Sequence, residues 1–253
     1  METHRYGPHS EQVADLRLPV GGEPHTLVVL IHGGFWRDGF ARDLMDGTAE
    51  DLTARGYATW NLEYRRGAFG GAWPNSLLDV AAGIDALSEL VHPERVVTLG
   101  HSAGGQLALW AAARPGLPPG TPGSDPQVAV AAAISLGGVC DLVEGERQDL
   151  GGGAVAGFLG GPVDRYPERA TLSSPIARLP LGVPQLLVHG HADDRVPASQ
   201  SIGYGRAAQD AGDSVELLVL PGVDHFAPID PETAAWHEVV AGLERLSLGP
   251  PPD

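Results

Sequence analysis

Ser102 sits in Gly100-His101-Ser102-Ala103-Gly104, between an apolar run at residues 95–99 and a helix-like stretch at residues 105–110. Strand, tight glycine turn and helix in that order would force the serine into a strained turn at a strand's carboxyl end, near the positive end of a helix. Small neighbours are needed there because strand and helix crowd together. A serine hydroxyl is a poor nucleophile at neutral pH and needs an adjacent base. The other residues of suitable type, His32, Asp193 and His225, also follow strand-like segments.

The elements that must position them alternate along the chain. Residues 27–31 form a continuous apolar run and read as a strand buried on both faces. A helix over residues 40–55 closes at Gly56, and a strand follows at residues 57–62. Residues 75–91 space their apolar side chains along one helical face, with Pro74 at the start, where a missing donor costs little. Residues 96–99 feed the serine turn. Further strands are expected at residues 128–135, 185–189 and 215–220, and helices at residues 199–211 and 232–246. Strands separated by helices predict an α/β fold with a mainly parallel sheet covered on both faces, and ligands at the carboxyl ends of its strands.

Length and charge narrow the function. The 253 residues, 43% apolar, suffice for one large core, so a single domain over residues 1–253 is expected, with residues 111–127 and 141–171 as small cap elements. The glycine- and proline-rich stretches at residues 115–123 and 151–153 read as surface excursions. A formal charge of -16 disfavours nucleic acid and anionic membranes as partners, although a local arginine could still receive a small carboxylate. One cysteine, Cys140, allows no internal disulfide and reads as a buried thiol at a strand end. The polar start and the lack of any run near the roughly 20 apolar residues that span a bilayer make cytoplasm the default location. No cofactor is expected. In the cluster of His189, His191 and Asp193 the two histidines bracket a glycine turn after a strand, with no third ligand at a persuasive metal-site spacing, and the glycines at residues 100–105 lack the lysine of a phosphate loop.

From about Leu27 to Leu248 the chain resembles the α/β-hydrolase family, in which nucleophile, acid and histidine follow in this order. The resemblance implies Ser102 as nucleophile, Asp193 as the orienting acid and His225 as the base that takes the serine proton and returns it to the leaving group. Asp194, one residue on, is the rival acid. His32-Gly33-Gly34-Phe35-Trp36 looks like the oxyanion loop of lipases and esterases, and its His-Gly-Gly-aromatic-Trp form resembles the arylformamidase, or kynurenine formamidase, branch. The oxyanion would then be held by main-chain N–H groups of Gly34, Phe35 and Ala103, with His32 and Gly33 supporting the loop. Phe35, Trp36, Trp73 and Phe226 are candidate substrate walls; the bland alternative for Phe35 and Trp36 is packing of the loop itself. Tyr64 and Arg65 read as structural, and a substrate carboxylate could meet Arg37 or Arg66.

The expected activity is therefore serine-dependent hydrolysis of a small ester or an aryl-formamide, N-formylkynurenine among them. A general short-chain carboxylesterase is the near alternative. A non-catalytic small-molecule binding module on the same scaffold is the alternative from another class. The partner is a small molecule; a homodimer is allowed, with no interface assignable from sequence.

Overall fold

The structure, a computed structural model, describes residues 1–21, 24–67 and 70–247. Leu248, where the family resemblance ends, and the last residues of the expected domain lie outside the described residues. Two apolar segments, β3 (Thr26–Ile31) and β5 (Arg95–His101), are buried along their whole length and pair in parallel at the centre of the sheet. Around them lie β1 (Glu2–Arg5), β2 (Val13–Arg17), β4 (Ala58–Leu62), β6 (Ala132–Leu136), β7 (Gln185–Gly190) and β8 (Val215–Leu220). The eight strands form one sheet in the order β1-β2-β4-β3-β5-β6-β7-β8. All pairs are parallel except β1–β2 and β2–β4.

Alternation along β3 divides the core. Leu27, Val29 and Ile31 enter one layer with Trp60, Leu107 and Trp110; Val28 and Leu30 enter the other with Met45, Leu52, Trp236 and Leu243. Each side chain of this size contributes roughly 1.5–3 kcal/mol when fully buried. The covering helices are α1 (Asp46–Ala54), α2 (Asn75–Asp85), α3 (Leu87–Leu90), α4 (Ala103–Ala112), α5 (Leu142–Arg147), α6 (Ala154–Leu159), α7 (Pro167–Ser173), α8 (Ser199–Asp210) and α9 (Ala234–Ser247). Every residue of α4 is buried, so it forms the inner wall behind the serine turn.

The structure departs from the sequence reading in four places. The amino-terminal ribbon of β1 and β2 was noted only as a polar start, with no element assigned; its polarity is that of a sheet edge, where β1 exposes Glu2, Thr3 and Arg5. The helix expected over residues 40–55 starts with a 3-10 turn, Arg42–Met45, before α1. The helix expected over residues 75–91 is interrupted at Ala86 between α2 and α3. The strand expected from residue 128 begins at Ala132, because the Gln127 and Val128 amides donate to Asp85 Oδ1 instead of to a ladder.

The two stretches expected as caps have different neighbours. Residues 111–127 follow the end of α4 remote from Ser102, where Arg114 pairs with Asp85 at 2.5 Å. Residues 141–171 carry α5 and α6 and place Leu150, Val155 and Phe158 in the layer that holds Trp36. Arg37 donates to Gly151 O and Gly152 O at 2.5 and 2.6 Å, fastening this segment to the loop after β3.

Candidate active site

Ser102 connects β5 to α4 with φ 57° and ψ -120°, the strained turn that the motif predicts. Non-glycine residues held there cost about 1–3 kcal/mol, and persist only where the surroundings fix them. Two glycines make the turn possible. A Cβ on Gly100 would stand 1.9 Å from Gly104 O, and one on Gly104 would stand 2.0 Å from Ile31 O. The Ser102 amide donates to Leu136 O at 2.8 Å, tying the turn to the end of β6.

Asp193, after β7, and His225, after β8, meet at the same edge. His225 Nδ1–H donates to Asp193 Oδ2 at 2.6 Å, with the two side chains 5% and 1% exposed. The other carboxylate oxygen accepts from the Arg195 and Val196 amides, each at 2.8 Å. Burial alone would raise the Asp193 pKa, but hydrogen bonds from His189 and His225, helped by the Val196 amide, outweigh it and hold the carboxyl well below its ordinary value. Asp194, the rival, points outward with its side chain 77% exposed.

Two histidines that sequence reasoning gave no catalytic setting lie beside this pair. His101 Nε2–H donates to His225 O at 2.9 Å, and the two rings lie 4.5 Å apart. Burial, reinforced by the charge of His225, lowers the His101 pKa to about 3, so this ring is neutral at neutral pH. His189 stands behind Asp193, its Nε2 3.3 Å from Oδ2. The signal for His101 was its place inside the turn motif; for His189 it was the His-Gly-His-Ala-Asp run, which sequence reading weighed only as a metal site.

Gly34, Phe35 and Trp36 have φ of 117°, 51° and 54°, so the loop after β3 makes a run of left-handed residues. Successive amides in such a run form a concavity suited to an anion. The loop lies hard against the serine: a Cβ on Gly33 would be 2.8 Å from Ser102 Cβ. Its strain is held by several contacts. Trp36 donates to Gln106 Oε1 at 3.1 Å and stacks on Phe158 at 4.6 Å. His32 is fully buried, with Nε2 2.9 Å from Glu63 Oε1 and Nδ1 2.7 Å from Gly33 O. Tyr64 stacks on the His32 ring and donates to His32 O. Glu63 in turn receives Arg66 Nη1 at 2.6 Å. Burial would raise the Glu63 pKa, and the hydrogen bond and charge of His32 bring it below the usual value.

Ser102, His225, Gly34, Phe35 and Phe226 line one cavity of about 140 Å³, together with His101, Phe40, Leu44 and Arg195. Two expected wall residues are not there. Trp36 is 3% exposed and turned into the core, because its left-handed backbone and its bond to Gln106 direct it inward. Trp73 lies in a separate surface hollow with Arg169, whose guanidinium is 4.7 Å from its ring. Phe40 and Leu44 were missed; they sit in a region expected as regular helix. Arg65 is held by Asp79, as a structural residue would be, and Cys140 is buried with its thiol pKa pushed up to about 12 by that burial. Among the described residues no group of three or more His, Cys, Asp or Glu is placed to hold a metal ion, and no helix is long and apolar enough to cross a membrane.

A largely parallel sheet flanked by helices, a serine on a strained strand-to-helix turn and a buried Asp–His pair define the serine-hydrolase class of the α/β-hydrolase fold. The BD-FAE family profile matches residues 14–205, and the chain belongs to that family. It is similar to Esterase LipQ of Mycobacterium tuberculosis, 27% identical over 88% of this chain and 59% of that protein. The chain thus spans little more than half the length of that relative. Among solved structures, a truncated carbohydrate esterase from gut microbiota superposes with a TM-score of 0.82 at 20% identity, covering 98% of this chain and 97% of that one. The butyrate-bound esterase Est2 of Thermogutta terrifontis superposes with a TM-score of 0.77 at 21% identity, over 96% and 92%. At these identities the two superpositions establish the fold.

Proposed function

We propose that the protein is a serine esterase that hydrolyses short-chain carboxylic esters. The observation that carries this reading is the convergence of Ser102, His225 and an apolar wall on one cavity of about 140 Å³, well under the roughly 300 Å³ at which drug-sized ligand sites begin. Ser102 Oγ attacks the ester carbonyl and its proton passes to His225 Nε2. Asp193 holds the ring by Nδ1 and stabilises the imidazolium. The oxyanion is received by the Gly34, Phe35 and Ala103 amides, each donor being worth about 3 kcal/mol of barrier. As the intermediate collapses, His225 gives its proton to the leaving alcohol. Water then attacks the acyl-serine with His225 again as base, releasing the acid and restoring Ser102.

The neighbours support the small acyl group: Est2 was solved with butyrate bound, and LipQ is named an esterase. Aryl-formamide hydrolysis is the narrower reading. It uses the same steps with formyl as the acyl group, and it is supported by the resemblance of His32-Gly33-Gly34-Phe35-Trp36 to the arylformamidase branch. Turnover of 4-nitrophenyl acetate, butyrate and octanoate beside N-formylkynurenine, each with S102A as control, tests both. A kcat/KM maximum at acetate or butyrate, lost in S102A, is expected. A large preference for N-formylkynurenine would replace it with the formamidase reading. Hydrolysis of none, with no labelling of Ser102 by a fluorophosphonate, would leave a binding module.

A further inference from the structure

Near the site, guanidinium groups are already engaged. Arg66 is held by Glu63 at 2.6 Å and Glu11 at 2.7 Å, Arg42 by Asp15 at 2.7 Å, and Arg37 by the Gly151 and Gly152 carbonyls. The two arginines that sequence reading offered to a substrate carboxylate, Arg37 and Arg66, are therefore taken. Arg195 is different. It is the arginine among the residues lining the Ser102 cavity, whose described lining contains no aspartate or glutamate. Its partner is Asp194, at 3.4 Å, and the two side chains are 59% and 77% exposed. A firm charge-assisted bond is about 2.7–2.9 Å, so this contact is loose and readily exchanged for a ligand.

The position of Arg195 also says which part of a substrate it would meet. Its amide donates to Asp193 Oδ1, while Asp193 Oδ2 holds His225. The Arg195 backbone and the His225 ring are thus held by the two oxygens of one carboxylate. The leaving oxygen must lie against His225 to receive its proton. The Phe35 side chain, on the proposed oxyanion loop, lines the cavity with Phe40 and Leu44 and is left for the acyl chain.

We propose that Arg195 is a specificity-determining residue, and that the preferred substrates are short-chain esters whose leaving alcohol carries a carboxylate. The proposal rests on the esterase reading above. The chain's charge of -16 repels such a substrate at a distance. At about 0.15 M salt the Debye length is about 8 Å, so charges farther off are screened and the residues lining the cavity set the field a substrate meets. Asp194 competes with the substrate for the same group, which gives the proposal two signs.

Three esters separate the possibilities: 4-nitrophenyl butyrate, its 3-carboxy analogue with the acid on the leaving group, and 4-nitrophenyl hemisuccinate with the acid on the acyl group. The readout is the kcat/KM ratio of each acidic ester to the neutral one, which cancels any general loss of activity. In R195A the leaving-group ratio falls about tenfold, mostly through KM, the size expected for a hydrogen bond to a charged group. In R195K, which keeps the charge without the fork, it falls about threefold. In D194N it rises about twofold. The hemisuccinate ratio moves less than twofold in all three. An unchanged leaving-group ratio in R195A, a fall in D194N, or an effect confined to the hemisuccinate overturns the proposal while the esterase stands. Failure of the wild type to hydrolyse the neutral ester overturns the esterase reading and this inference with it.

Discussion

Asp193 stands between two histidines, and each of them belongs with a serine. On one side are His225 and Ser102, which line a cavity. On the other are His189 and Ser201, both fully buried. His189 Nε2–H donates to Val196 O at 2.8 Å, leaving Nδ1 to accept from Ser201 Oγ at 2.7 Å. By composition the two sets are near twins, each a serine and a histidine beside the same carboxylate. Their backbones are not. Ser201 lies inside α8, in ordinary helical geometry. Ser102 has a positive φ at the start of α4, beside glycines that let strand and helix close together. A serine near a histidine and a carboxylate is thus not yet a nucleophile. A strained turn that presents its oxygen, and an open volume for a carbonyl, distinguish the Ser102 set, the one the esterase proposal uses, from the buried Ser201 set.

The largest expected effect on this comparison is from S102A, which lowers ester kcat by at least about 10⁴-fold with little change in thermal midpoint; a variant retaining a tenth of the activity would end the assignment. D193N comes next, at about 10⁴-fold in kcat, because an amide holds the wrong tautomer of His225. It strains both sets at once, and its rate loss should exceed that of an H189Q variant, which touches only the buried one. E63Q tests the loop that would receive the oxyanion. An amide that keeps Oε1 for His32 and Arg66 turns its NH2 on the Arg42 N–H that Glu63 Oε2 accepts, and it carries no charge for Arg66, so kcat falls about tenfold with KM little altered, read from initial rates on 4-nitrophenyl butyrate.

Smaller and pH-dependent is the effect at His101. Its native pKa of about 3 lies under the unfolded value, so the unfolded state binds the extra proton in between. Stability therefore falls as pH drops from about 6.5 towards 3, by up to about 1.4 kcal/mol per pH unit from this residue. H101N lacks that slope, and urea unfolding of both proteins at pH 7 and pH 4.5 should show their stability gap narrowing in acid. Last is S201A, expected to change ester kcat less than about threefold while costing about 1–3 kcal/mol of stability by orphaning His189 Nδ1. Loss of activity there comparable to S102A would reverse the comparison.

What was legible in the sequence was what is local. The serine turn needs only a strand, a few small residues and a helix, all within residues 95–110, and the structure forms it as expected. The apolar strands could be read because burial on both faces leaves no polar positions. Long-range geometry was not legible. Asp193 and Asp194 are adjacent and alike until β8 delivers His225 to one of them. Trp36 looked like cavity wall because it follows Phe35; in the run of left-handed residues Phe35 lines the cavity and Trp36 is buried. Glu63 has its meaning only when β4 lies beside β3 and brings it under His32.

The contact between Glu11 and Arg66 carries a practical consequence. Glu11 belongs to the turn joining β1 to β2, and through Arg66 and Glu63 it is three ionic steps from the histidine under the oxyanion loop. Affinity tags and trimmed leaders are placed at amino termini on the assumption that such ends are inert. Here the ribbon is an anchor for the candidate site, so preparations that differ only in their first dozen residues should be compared by ester turnover before they are treated as interchangeable.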